Sequence, residues 1–307
     1  MFGSLALVVV GLIVLVVASD RVVVSAVRIS LSLGVSTVLI GALIVGLGTS
    51  IPELLVSSIA AAQGSLDVAA ANVVGSNAAN VTLVLGAAAL MAPVAVGGAI
   101  LRRETPLMLA AVAALAVVIF DDRVSRIEAG GLLVGLVIAL GLLILWSRGN
   151  PPEVDEDEET VASRPAVEFV YGLIGIAATV AGAKVLLDGA LDIGARLDWP
   201  ATFLGLLLGV GTSLPELATA VAAARRKESD LILGNVIGSN IFNSLAVAGT
   251  AGLVGPGLLA DFDGVAIWGM LAAVGIAAAA MVTGRKISRL EGLLLLGVFV
   301  GLALGTL

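Results

Sequence analysis

Gly48-Thr49-Ser50-Ile51-Pro52-Glu53-Leu54 sets a carboxylate in the middle of a long apolar run, and Gly211-Thr212-Ser213-Leu214-Pro215-Glu216-Leu217 does so again. Each copy is followed at the same distance by a second polar cluster, NVVGSNAAN over 72–80 and NVIGSNIFN over 235–243. Thr49 and Thr212, Glu53 and Glu216, Ser76 and Ser239, and Asn80 and Asn243 each lie 163 residues apart, so the register runs without a gap. Between Gly46 and Gly86 the first copy agrees with the second chiefly at Gly, Thr, Ser, Pro, Glu and Asn, while the apolar positions drift. A duplication kept for packing alone would preserve the apolar pattern instead. Two copies of a buried acid point to one site assembled from two halves.

Of the 307 residues, 59% are hydrophobic and 13% charged, against about 45–50% and about 25% in soluble domains. This composition predicts an all-α integral membrane protein with the lipid bilayer as its surroundings. The 38 glycines suit close helix approach in lipid, where packing drives association. Charged residues punctuate the chain into apolar runs of about 20 residues, the length that crosses the hydrocarbon core. The runs predict ten transmembrane helices, at 3–27, 34–62, 67–92, 105–120, 126–147, 166–190, 199–224, 230–254, 262–283 and 287–306. Gly, Pro, Asn and Ser interrupt the second, third, seventh and eighth, which are expected to be broken or kinked. The first run lacks the basic start of a secretory signal and reads as a retained helix.

The chain has no Cys and no His. Disulfides and thiolate metal sites are excluded, and so are the commonest metal ligand and the usual near-neutral proton switch. A bound metal must be held by oxygen, which selects hard cations. The net charge of −7 suggests no nucleic-acid partner. No enzyme is expected, because neither His, Cys nor a metallopeptidase motif accompanies the two acids. No cofactor and no obligatory protein partner are indicated.

RGNPPEVDEDEETVASR, residues 148–164, is the longest hydrophilic stretch. It reads as a solvated acidic linker (148–165) between a first five-helix repeat (1–147, motif 41–86) and a second (166–307, motif 204–249). An odd number of crossings per repeat inverts the second copy relative to the first. With the N-terminus outside, cytoplasmic loops receive Arg28, Arg102, Arg103, Arg148, Arg164, Arg225, Arg226, Lys227, Arg285, Lys286 and Arg289, and outer loops receive Arg123, Arg126 and Arg196. Cytoplasmic loops are enriched in such residues, so a multi-pass protein of the cell membrane with both termini extracellular is expected.

A charge at the centre of a membrane helix costs about 2.5–3.5 kcal/mol on insertion scales, so Glu53 and Glu216 need a protein-lined cavity or a counter-ion. Residues 29–101 contain no Lys or Arg, which makes a bound cation the expected partner of Glu53. Pro52 and Pro215 lack an N–H and release carbonyls about one turn earlier, at Gly48, Thr49, Gly211 and Thr212. Thr49 and Glu53 share a helix face at i, i+4, as do Thr212 and Glu216, Ser76 and Asn80, and Ser239 and Asn243. Asn80 and Asn243 are candidate ligands; for Asn72, Asn77, Asn235 and Asn240, ligation and helix-to-helix hydrogen bonding both stand open. This oxygen inventory fits Ca²⁺, and a site charge of −2 is matched by one Ca²⁺ or by two Na⁺.

At these residues the chain resembles the cation/Ca²⁺ exchanger (CaCA) superfamily, specifically its Na⁺/Ca²⁺ exchanger branch. The resemblance rests on GTSIPEL…GSNAAN, GTSLPEL…GSNIFN and the ten-helix layout. It implies Ca²⁺ held between Glu53 and Glu216 with the Thr49 and Thr212 carbonyls and hydroxyls. It also implies Na⁺ sites at Ser50, Ser213, Ser76, Ser239 and the backbone of Gly46 and Gly209, with the first and sixth helices sliding to alternate access. One position departs: several Na⁺/Ca²⁺ exchangers carry Asp where this chain has Asn243, which leaves the Na⁺ stoichiometry open and disfavours K⁺ dependence. H⁺/Ca²⁺ antiporters usually show G-N-x-x-E here, so that coupling is the alternative; a cation channel is further off.

Overall fold

In lipid every backbone N–H and C=O must be bonded within the chain, and the apolar runs accordingly fold as helices. The computed structural model describes residues 2–147, 165–199, 207, 210–259, 262 and 264–305. In chain order these form α1 (Phe2–Leu33), α2 (Thr37–Thr49), α3 (Ile51–Ala62), α4 (Leu66–Met91), α5 (Gly98–Arg102), α6 (Glu104–Ile119), α7 (Arg126–Ser147), α8 (Pro165–Arg196), α9 (Leu214–Arg225), α10 (Ser229–Val254), α11 (Val265–Gly284) and α12 (Arg289–Gly305).

Among the described residues six helices are long and apolar enough to cross a membrane, and α2 with α3 makes a seventh bent span. Helices α6 and α12, with 16 and 17 residues, occupy the runs expected at 105–120 and 287–306. The span expected at 199–224 is described from 210 onward except for isolated residues: 210–212 are helical and α9 follows. The acidic linker 148–164 lies outside the described residues. Helix α1 runs to Leu33 rather than to residue 27, because nothing breaks it before Gly34 at φ +62°. Helix α8 likewise runs past residue 190, to Arg196.

The four interrupted spans divide into two kinds. At Ser50 the backbone leaves helical geometry (φ −87°, ψ 9°) and α3 departs from α2 at 45°. Ser213 repeats this at φ −88°, ψ 4°. Pro52 and Pro215 sit in the first turn after each break, where a missing N–H costs least. Helices α4 and α10 instead stay continuous, and their polar clusters end in π-helical turns at Asn80–Val84 and Asn243–Val247. Such turns interrupt the regular ladder and recur at functional sites. A third π-helical stretch, Gly41–Gly46, lies within α2.

Four short strands show how the halves are related. Strand β1 (Val94–Ala95) pairs antiparallel with β4 (Lys286–Ile287), and β2 (Arg123–Val124) with β3 (Gly257–Leu258). Shifting one register by the 163-residue offset turns Val94↔Ile287 into Val124↔Gly257 and Ala95↔Lys286 into Arg123↔Leu258, which are the observed partners. Exchanging the halves thus maps one contact onto the other, the signature of a two-fold relation between repeats.

The core centres on α10, whose spanning window is 89% buried, whereas that of α1 is 28% buried. Glycines let α2 and α10 meet backbone to backbone. A Cβ on Gly238 would lie 2.4 Å from the Ala42 Cα, and one on Gly46 would lie 3.0 Å from the Ser239 amide nitrogen. Gly238→Ala is therefore expected to lower the thermal midpoint, by the roughly 1–3 kcal/mol typical of overpacking. Gly275→Ala, with no atom within 4 Å of the added carbon, should leave the midpoint unchanged or raise it. Equal midpoints for the two variants would contradict this packing.

Candidate cation site

The break at Ser50 presents that residue and the first turn of α3 to the second repeat. The Ser50 hydroxyl donates to the Glu216 carboxylate at 3.0 Å. Thr212 hydrogen-bonds Glu53 as its counterpart Thr49 does Glu216, and the two carboxyl groups lie close enough to act on each other electrostatically. Glu53 and Glu216 are each 1% exposed, so two carboxyl groups from opposite repeats are buried together. Among the described residues neither forms an ion pair with Lys or Arg.

The other polar residues of the duplicated motifs are enclosed as well. Thr49, Ser50, Ser213, Ser76, Ser239, Asn80 and Asn243 are all buried, and Thr212 is partly so. Both polar atoms of Asn80 and of Asn243 lack a hydrogen-bond partner within the protein, as do Glu53 Oε2, Glu216 Oε2 and the Ser213 hydroxyl. Buried polar atoms are nearly always paired, and each exception needs a physical reason. The Thr49 hydroxyl donates to the Val45 carbonyl at 2.9 Å, leaving its oxygen lone pairs for another partner. The Ser239 hydroxyl donates to the Gly46 carbonyl at 3.3 Å, which joins the end of the π-helical stretch in α2 to α10. Pro52 and Pro215 have no N–H for the Gly48 and Gly211 carbonyls to accept. Gly209 lies outside the described residues.

The remaining asparagines donate hydrogen bonds through their amide nitrogens, while Oδ1 of Asn77, Asn235 and Asn240 has no partner. Asn72 donates to the Ser57 hydroxyl at 3.0 Å, Asn235 to Thr219 at 3.3 Å, and Asn77 to Ser244 at 2.9 Å. Asn240 bonds back to the Val236 carbonyl at 2.8 Å. Ser57, Thr219 and Ser244, all buried, were not singled out in the sequence because they are not duplicated: the positions 163 residues away are Ala220, Val56 and Val81. Their polarity within buried spans was the available signal.

Among the described residues no group of three or more Asp, Glu, His or Cys side chains gathers to hold a metal ion. With no His or Cys in the chain, the two carboxyl groups and their neighbouring hydroxyls are oxygen donors, the kind that suits a hard cation.

Residues 3–145 and 167–307 match the family described as sodium/calcium exchanger protein. The chain is 36% identical to the putative antiporter CaxA of Alkalimonas amylolytica, over 96% of this chain and 95% of that protein. It is 32% identical to the sodium/calcium exchanger MaX1 of Methanosarcina acetivorans, over 94% of each. Among solved structures, the sodium-calcium exchanger NCX_Mj soaked with Na⁺ and Sr²⁺ superposes with a TM-score of 0.86 at 29% identity, over 100% of this chain and 99% of that one.

Two adjacent buried carboxylates without a basic partner should weaken the protein when no cation accompanies them. Glu53→Gln combined with Glu216→Gln is expected to raise the thermal midpoint in cation-depleted detergent. The same variant should lose the stabilisation that ligand binding gives the parent protein on adding Ca²⁺. A Ca²⁺-dependent midpoint shift that persists in the double variant would place the ion elsewhere.

Proposed function

The chain belongs to the sodium/calcium exchanger family, and from that premise we propose that it is a secondary antiporter exchanging Na⁺ for Ca²⁺ by alternating access. The observation that carries this reading is the contact of Ser50 with Glu216 beside Glu53, which unites the two repeats at one buried, oxygen-lined enclosure. Ca²⁺ is held between Glu53 and Glu216 with Thr49 and Thr212. Na⁺ uses Ser50, Ser213, Ser76, Ser239 and the backbone at Gly46 and Gly209, and Asn80 and Asn243 complete the donor set with their unpartnered amides.

Charge matching supplies the coupling. One Ca²⁺ or two Na⁺ neutralise the two carboxylates, whereas leaving both bare in a low-dielectric enclosure is costly. The site therefore exchanges one cargo for the other in preference to crossing unloaded. The repeats span residues 1–147 and 166–307 on either side of the 148–165 linker, both termini lie outside, and α1 with α8 forms the moving element. The dense pairing of α1 with α8 supports their moving together: Glu168 bonds Arg21 at 2.6 Å and Arg28 at 2.8 Å, and Ser4 bonds Asp192.

In vesicles loaded with Na⁺, isotopic Ca²⁺ should enter when external Na⁺ is lowered, and Glu53→Gln or Glu216→Gln should reduce entry to background. Ca²⁺ entry that ignores the Na⁺ gradient and follows an imposed proton gradient would instead identify H⁺/Ca²⁺ antiport. Conductance without any counter-ion would identify a channel.

A further inference from the structure

We infer that Asp20 and Arg226 are a positioning pair for the exchange cycle: their ion pair fastens the α1–α8 unit to the rest of the bundle on one side of the membrane only. The inference rests on the alternating-access reading above. Arg226 follows α9 and meets Asp20 of α1 in a two-pronged contact, Nε to Oδ1 at 2.8 Å and Nη2 to Oδ2 at 2.7 Å. The ion pairs Arg21–Glu168, Arg28–Glu168, Lys184–Asp188 and Arg196–Asp192 all lie inside the α1–α8 unit, whereas Asp20–Arg226 joins that unit to the bundle.

The two-fold relation between repeats identifies what should stand on the opposite side. The counterparts of Asp20 and Arg226, 163 residues away, are Ala183 and Gln63. A symmetric closure of the other side would bring those two together, and they carry no charge to pair.

Packing shows the same asymmetry. Helix α1 lies along α9, but the equivalent contact of α8 with α3 is not among the packed helix pairs. Val56 and Ile59 on α3 are 41% and 55% exposed, while their counterparts on α9, Thr219 and Ala222, are 2% and 5% exposed. The structure is thus closed beside the Arg225–Lys227 loop and uncovered beside α3. The ion pair belongs to the closed side. The basic loop marks that side as cytoplasmic, so the pair favours the state open to the exterior.

Both side chains are half-exposed, 43% for Arg226 and 51% for Asp20. An exposed pair shifts a two-state equilibrium by about fivefold at most, about 1 kcal/mol. That is small enough to tune the cycle without locking it.

The chain has no Cys, so spin labels at Gln63→Cys, after α3, and Leu197→Cys, after α8, can report closure of the open side. Both positions are exposed. Distances are measured in cation-depleted detergent, which requires no knowledge of the cargo. Arg226→Gln and Asp20→Asn should each raise the short-distance population by about two- to fivefold. The charge-exchanged double variant, Asp20→Arg with Arg226→Asp, should return it toward the parent value. Unchanged distributions in all three variants, while Na⁺ or Ca²⁺ still shifts the distance, overturn the pair's role and leave exchange intact. A distance that neither variant nor ion shifts overturns alternation and this pair with it.

Discussion

The organising constraint is a pair of carboxyl groups enclosed together. Glu53 and Glu216 come from opposite repeats, both are buried, and Ser50 of one half donates to the carboxylate of the other. Two neighbouring carboxylates in a low-dielectric interior repel each other and have lost the water that would solvate them. Helix packing cannot compensate for that arrangement. A cation held as proposed above would, since hydroxyl, amide and carbonyl oxygens are the ligands a hard cation takes.

The rest of the fold serves this enclosure. The breaks at Ser50 and Ser213 bring helix interiors and their polar backbone to the middle of the bundle, where irregular structure is tolerated because it faces protein and not lipid. The π-helical turns beginning at Asn80 and Asn243 interrupt α4 and α10 at buried polar residues. Glycines at 46 and 238 draw α2 and α10 close enough for Ser239 to reach the Gly46 carbonyl. Outside this centre, α1 and α8 pack chiefly against each other and leave much of their surface uncovered.

Much of this was legible in the residues. The duplicated GTSxPEL and GSNxxN segments fixed which positions face inward, because i, i+4 spacing is a local property of a helix. The invariant 163-residue offset revealed the repeat, and apolar run lengths placed the membrane helices. The contact of Ser50 with Glu216 was not legible, since it depends on how two distant segments cross. Nor were the π-helical turns, which differ from ordinary helix by one residue of register and leave no clear pattern in composition. Asn72, Asn77, Asn235 and Asn240 stayed ambiguous in sequence because an amide serves equally as ligand or as brace. Asn72, Asn77 and Asn235 donate across helices to Ser57, Ser244 and Thr219, and Asn240 donates within α10 to Val236, while the Oδ1 atoms of Asn77, Asn235 and Asn240 have no partner. The pairing of Asp20 with Arg226 spans both halves and breaks their symmetry, so neither the repeat nor the local spacing disclosed it.

The central claim is that metal, and not a shared proton, reconciles Glu53 with Glu216. Anomalous diffraction from crystals soaked in Sr²⁺ as a heavy stand-in for Ca²⁺ tests it most directly. The account predicts one strong peak within about 2.3–2.6 Å of oxygens from both glutamates, diminished as Na⁺ is raised. No peak between them, with the two carboxyl groups instead hydrogen-bonded to each other at high Sr²⁺, would contradict it.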